Sequence, residues 1–98
     1  MTPDPRVRNA GAVTPLELPP AHGRLLDAAI NARGLVVGTL ATPPTHDFKI
    51  AVLWQNGTPI VLPTLPPNGQ AQAFDINDRG EAVGDSGGQA VLWVPRER

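Results

Sequence analysis

Apolar residues along the chain fall in short clusters of five to seven positions, separated by Gly, Pro and Asn and rich in β-branched side chains. That pattern predicts strands, because β-branched residues pack well on a pleated surface and the punctuating residues make turns. In the first half the candidates are AVTPLEL (12–18), LDAAIN (26–31), GLVVGT (34–39) and KIAVLWQ (49–55). In the second half they are PIVLPTL (59–65), QAFDIN (72–77), GEAVGD (80–85) and QAVLWV (89–94). LLDAAINA has the composition to start a helix, but Gly34 stops it early and the matching QAFDINDR is a poorer helix former, so strand is the reading for both.

The two halves match each other. INARGLVVG (30–38) and INDRGEAVG (76–84) share six of nine residues at an offset of 46, and AVLW recurs at 51–54 and 90–93 at an offset of 39. Leu18-Pro19-Pro20 matches Leu65-Pro66-Pro67 at an offset of 47, with His22 as the extra residue in the first half. The chain therefore reads as one domain of two repeats, about 7–54 and 55–95. Asn31 and Asn77 each stand three residues before a glycine; the Asn side chain caps the backbone two residues on while Gly supplies positive φ, which predicts a hairpin between the second and third strands of each unit. In both AVLW strands apolar residues alternate onto both faces, predicting strands buried on either side between stacked sheets. Pro63 removes a ladder donor and marks an edge strand or bulge.

The stretch GDSGG (84–88) matches the surroundings of the nucleophilic serine in trypsin-like proteases. Here it lies across the recurring Gly84 and the short link between two recurring strands, where the first half holds GTLATPPTHDFKI and no serine. A serine protease also needs a histidine base, an orienting carboxylate and an oxyanion hole. Gly87 and Gly88 instead suit a tight hairpin that requires positive φ. On that reading Ser86→Ala leaves the fold intact. DINDRG (75–80) begins like a calcium loop, but its fifth position is Arg79 and the first half has Ala29 where Asp75 stands, which argues against an oxygen-ligand site.

A four-stranded unit of about 46 residues with a doubly buried strand is the size of a β-propeller blade. The predicted fold class is all-β: two tandem four-stranded antiparallel units resembling blades, completed by self-association, with a monomeric pseudo-twofold barrel or sandwich as the alternative. Burying the two outer apolar faces is the physical reason to expect a homo-oligomer.

The succession A-x-x-I-N-x-x-G-x-V-V-G, A-x-L-W-x-x-G and L-x-x-L-P resembles the HAF repeats of bacterial, often extracellular, proteins. The residues carrying it are Ile30, Asn31, Gly34, Val36, Val37, Gly38, Ala51, Leu53, Trp54, Gly57, Leu62 and Leu65, then Ile76, Asn77, Gly80, Val83, Gly84, Ala90, Leu92 and Trp93. The resemblance implies a repeat architecture and no catalytic motif. Such repeats usually occur in longer arrays than two.

Composition narrows the functional classes. Twelve prolines and ten glycines in 98 residues predict many turns. There is no cysteine, hence no disulfide or thiolate site. The net charge of −1, with scattered basic residues, gives no nucleic-acid footprint. No apolar run reaches a membrane span, and MTPDPRVRNAG lacks the apolar core of a signal peptide, so as written the chain reads as soluble and unexported.

No catalytic group, cofactor or metal is expected, and the chain is read as a non-enzyme. The leading expectation is a non-catalytic binding or interaction module with a protein partner. Its longest loop, ATPPTHDFK (41–49), offers His46, Asp47 and Phe48 stiffened by Pro43 and Pro44. The alternative is a carbohydrate-binding module in which Trp54 and Trp93 stack on sugar rings. Arg33 and Arg79 recur at matching turn positions as candidates for a repeated anionic ligand. A hydrolase using Ser86 ranks last.

Overall fold

The computed structural model describes Val13 and residues 15–19, 23–45, 47–66 and 69–95. His22, His46, Arg96 and Arg98 lie outside the described residues, as does part of the first predicted strand.

The fold is all-β. The strands are β1 (Arg24–Ile30), β2 (Val36–Thr42), β3 (Phe48–Gln55), β4 (Thr58–Val61), β5 (Ala71–Ile76), β6 (Ala82–Ser86) and β7 (Gln89–Trp93). They form two antiparallel sheets, β1-β2-β3-β4 and β5-β6-β7.

Each predicted hairpin has the chemistry its sequence implies. Asn31 Oδ1 accepts hydrogen bonds from Arg33 N (2.9 Å) and Leu35 N (3.0 Å), and Gly34 has φ +84. Asn77 Oδ1 does the same for Arg79 N (3.0 Å) and Glu81 N (2.9 Å), with Gly80 also at φ +84. Gly87 and Gly88, at φ 60 and 83, close the β6–β7 hairpin, as a two-residue loop with both central residues left-handed requires.

One strand sits in a different sheet from the one its repeat implies. PIVLPTL, predicted as the first strand of the second unit, contributes β4 to the first sheet, where Val61, Ile60, Pro59 and Thr58 pair with Val52, Leu53, Trp54 and Gln55. The cause is the Asn56-Gly57 turn, with φ 55 and 82, which folds the chain straight back onto β3. The strand ends before Pro63, and the described part of 12–18 is not strand.

Segment 62–65 then crosses between the sheets. Leu62 N donates to Ala51 O in the first sheet (2.9 Å), whereas Leu65 N donates to Ser86 Oγ in the second (2.8 Å). Leu62 joins Val37 and Ala51 of the first sheet and Ala71, Ala73, Ile76 and Ala82 of the second in the inter-sheet core. A second cluster, Leu40, Val52 and Trp54, lies on the opposite face of the first sheet.

The two sheets stack within one chain, and unlike faces meet. The face of the second sheet that turns inward carries Ala82, Gly84, Val91 and Trp93. Its counterpart in the first repeat, with Val36, Gly38, Val52 and Trp54, turns away from the second sheet. The units are thus stacked head to tail like successive copies rather than as twofold mates.

A steric requirement explains the recurring Val-Gly and Trp pair. A Cβ on Gly38 would come within 2.8 Å of Asp27 O and 3.1 Å of the Trp54 ring; one on Gly84 would overlap Gln72 O and come within 2.8 Å of the Trp93 ring. Neither glycine has positive φ, so the requirement is space, against a carbonyl oxygen of the strand on one side and the indole of the strand on the other.

Burial of the two AVLW strands differs from expectation. In β3, Ala51, Val52 and Trp54 are buried, as predicted for a strand covered on both sides. In β7, Ala90 and Leu92 are exposed and Val91 and Trp93 half-buried, because no sheet covers the outer face of β5-β6-β7 among the described residues.

Candidate functional site

The two Asn-x-Arg-Gly turns are hydrogen-bonded to each other. Asn31 Nδ2 donates to Asn77 O (2.7 Å), Ala32 N donates to Asp78 Oδ1 (2.8 Å), and Arg33 Nη1 donates to Asp78 O (3.2 Å). This stacking sets Arg33 and Arg79 at one end of the seam between the sheets. Beside them opens a cleft of about 340 Å³. Leu35, Val37, Leu53, Leu62, Ala82 and Trp93 make its apolar walls, with Gln55, Asn56 and the two arginines as polar lining. Val94 and Pro95, just past β7, complete the rim, and among the described residues no Asp or Glu lines it.

The walls are rigid for local reasons. Val37 and Leu53 are paired across β2 and β3 with their side chains on the inner face. Trp93 pairs with Ala82 across β6 and β7, and its Nε1 donates to Pro63 O (2.8 Å), which anchors the indole to the crossing segment. Arg79 is 84% exposed, with Nε 3.7 Å from Glu81 Oε1, a loose surface contact.

Of the residues singled out from sequence, the structure therefore brings together Trp93, Arg33 and Arg79. Trp54 lies elsewhere. It is 2% exposed on the far face of the first sheet, and its Nε1 donates to Glu17 O, so it presents no indole face to a sugar ring. Asp47 and Phe48 are exposed at the distant β2–β3 loop, where Thr42 Oγ1 donates to Phe48 O (2.9 Å); Phe48 is not tucked into the core. The hydrophobic wall of Leu35, Val37, Leu53 and Leu62 was missed as a site by sequence reasoning, since each residue reads as ordinary core.

Ser86 is 1% exposed, at the end of β6 rather than in the turn. Its Oγ donates to Gln70 O (3.0 Å) and accepts from Leu65 N (2.8 Å), so the hydroxyl ties the crossing segment to the second sheet. This corrects the placement of Ser86 in the turn, and Ser86→Ala, expected to leave the fold intact, removes both of these bonds. Among the described residues no group of three or more His, Cys, Asp or Glu converges. Asp75 Oδ1 accepts a hydrogen bond from Ile76 N (2.8 Å), and Asn77 Oδ1 is engaged by its own turn.

Compared with protein-family models, curated proteins and solved structures, the chain matches none. No helix among the described residues is long and apolar enough to cross a membrane.

Proposed function

We propose that the chain is a non-catalytic binding module that holds a peptide segment of a protein partner at the seam between its two sheets. The observation that carries this is the cleft itself, an apolar recess with Trp93 in its wall and a few polar groups at its rim. At about 340 Å³, it falls within the roughly 300–1,000 Å³ range of ligand pockets. β7 adds a reason to prefer a peptide. Its outer edge has no strand partner among the described residues, whereas the matching edge of β3 carries β4. A peptide strand added along β7 would run past Val94 and Pro95 and could drop a side chain into the recess, a mode in which main-chain bonds supply affinity and the pocket selects the side chain.

A sugar-binding reading is less well supported, because it needs indole faces and Trp54 is buried. A hydrolytic reading has little support, because the Ser86 hydroxyl is engaged on both sides within a closed seam.

The reading is tested by selecting displayed random peptides on the folded protein. Enriched peptides should lose roughly tenfold or more in affinity against Gln55→Trp, which occludes the cleft, and against Val94→Asp, which places a charge at its rim. Enrichment insensitive to both variants, or no enrichment, overturns the proposal.

A further inference from the structure

The Asn-x-Arg-Gly turn recurs in both repeats. Hydrogen bonding explains the asparagines and positive φ explains the glycines. Arg33 joins the bonds that tie the turns together, and neither reason explains Arg79. Their side chains point outward with different partners, Arg33 on a main-chain carbonyl of the next turn and Arg79 beside Glu81 of its own. What they share is position: turn stacking lines both up on the same cleft, which carries no Asp or Glu among the described residues although the whole chain has a net charge of −1.

Two guanidinium groups border one recess, and an anion entering it can accept planar, charge-assisted hydrogen bonds from them. The walls below them, Leu53, Leu62 and Trp93, suit an apolar body. We infer that the seam cleft binds a carboxylate carried on an apolar body, the carboxylate held by Arg33 and Arg79 and the body lying against Trp93 and Leu53. This rests on the reading of the cleft as a binding site and adds the charge and shape of what enters it. A peptide ending in a large apolar residue and a small free acid present the same chemistry.

The test titrates isotope-labelled protein with four probes: 4-phenylbutyrate, 4-phenylbutanamide, an acetylated Gly-Gly-Leu-Phe peptide with a free C-terminal carboxylate, and the same peptide as its C-terminal amide. At least one free acid should shift the Trp93 Nε1–H and Arg33 Nε–H resonances saturably and bind roughly tenfold more tightly than its amide. Arg33→Gln combined with Arg79→Gln should remove that preference, leaving acid and amide within about twofold of each other, and raised salt should weaken the acids selectively. Tighter binding of the peptide acid than of phenylbutyrate identifies a chain terminus as the source; the reverse identifies a free acid. Equal binding of acid and amide by the native protein overturns the anion inference while leaving the binding reading in place. If no probe of either charge shifts the cleft resonances, the inference fails, and the peptide selection above decides separately whether the binding reading fails with it.

Discussion

At two matching positions the sheets use their polar side chains differently: the first sends them across the seam, the second bonds them within itself. In the first, Asn31 Nδ2 reaches Asn77 O, and Thr39 Oγ1 both donates to Ala73 O (3.3 Å) and accepts from Ala73 N (2.9 Å) across the seam. In the second, Asn77 Nδ2 turns back to Glu81 Oε1 (2.8 Å), and Asp85, which occupies the place of Thr39 in the hairpin, accepts from Gly88 N (3.3 Å) in its own turn.

Residue identity follows the same division. Val37 and Leu53, paired on the covered face, have Val83 and Leu92 as counterparts, which are 46% and 56% exposed. Around that retained pair, Ala29, Leu35 and Thr39 are replaced by Asp75, Glu81 and Asp85. Terminal repeats of a stack need a polar outer face. Around the same Val–Leu pair, then, the covered face and the open face differ at three side chains.

The largest expected contrast concerns the tryptophans. Trp54→Ala should destabilise by about 3–5 kcal/mol, as for a fully buried aromatic, and Trp93→Ala by roughly half as much because its ring is half-exposed; urea unfolding measures both. Equal losses would mean that the second sheet is as deeply interior as the first. Next come the glycines. Gly84→Ala should cost about 3 kcal/mol and Gly38→Ala about 1–2 kcal/mol, since a Cβ on Gly84 overlaps Gln72 O outright whereas one on Gly38 comes to 2.8 Å from Asp27 O.

Thr39→Val should cost about 1–3 kcal/mol by stranding the Ala73 amide and carbonyl in the seam, whereas Asp85→Val should change stability by no more than about 0.5 kcal/mol. Ser86→Ala should cost about 1–2 kcal/mol with the fold retained, which calorimetry resolves. The last contrast concerns association rather than stability: Asp75→Ala, Glu81→Leu and Asp85→Thr combined recreate the covered face on the open side. Its readout is self-association in sedimentation beyond that of the native chain, and an unchanged sedimentation coefficient would show that the carboxylates are not what distinguishes the end sheet.

Much of the backbone was legible. The Asn-x-Arg-Gly hairpins and the Gly87-Gly88 turn follow from local chemistry, because a side-chain cap and positive φ act within a few residues. The placement of β4 was also written locally, in Asn56-Gly57, but the repeat phase pointed to the second unit and masked it. The reason for Gly38 and Gly84 was not legible, since their φ values are ordinary and the need for space arises only once the flanking strands bring a carbonyl oxygen and a tryptophan ring against them. Of the candidate site, Arg33, Arg79 and Trp93 were identifiable one at a time, while Leu35, Val37, Leu53 and Leu62 became a wall only through stacking.

Sequence alone determined the repeat, the all-β class and the turns, because these depend on interactions between residues close along the chain. Tertiary structure decided which face of each sheet meets the other, which tryptophan is sealed and which lines a cleft. Those outcomes depend on the direction in which two chemically similar sheets stack, and that direction is set by contacts such as Asn31 to Asn77 and Thr39 to Ala73, 46 and 34 residues apart.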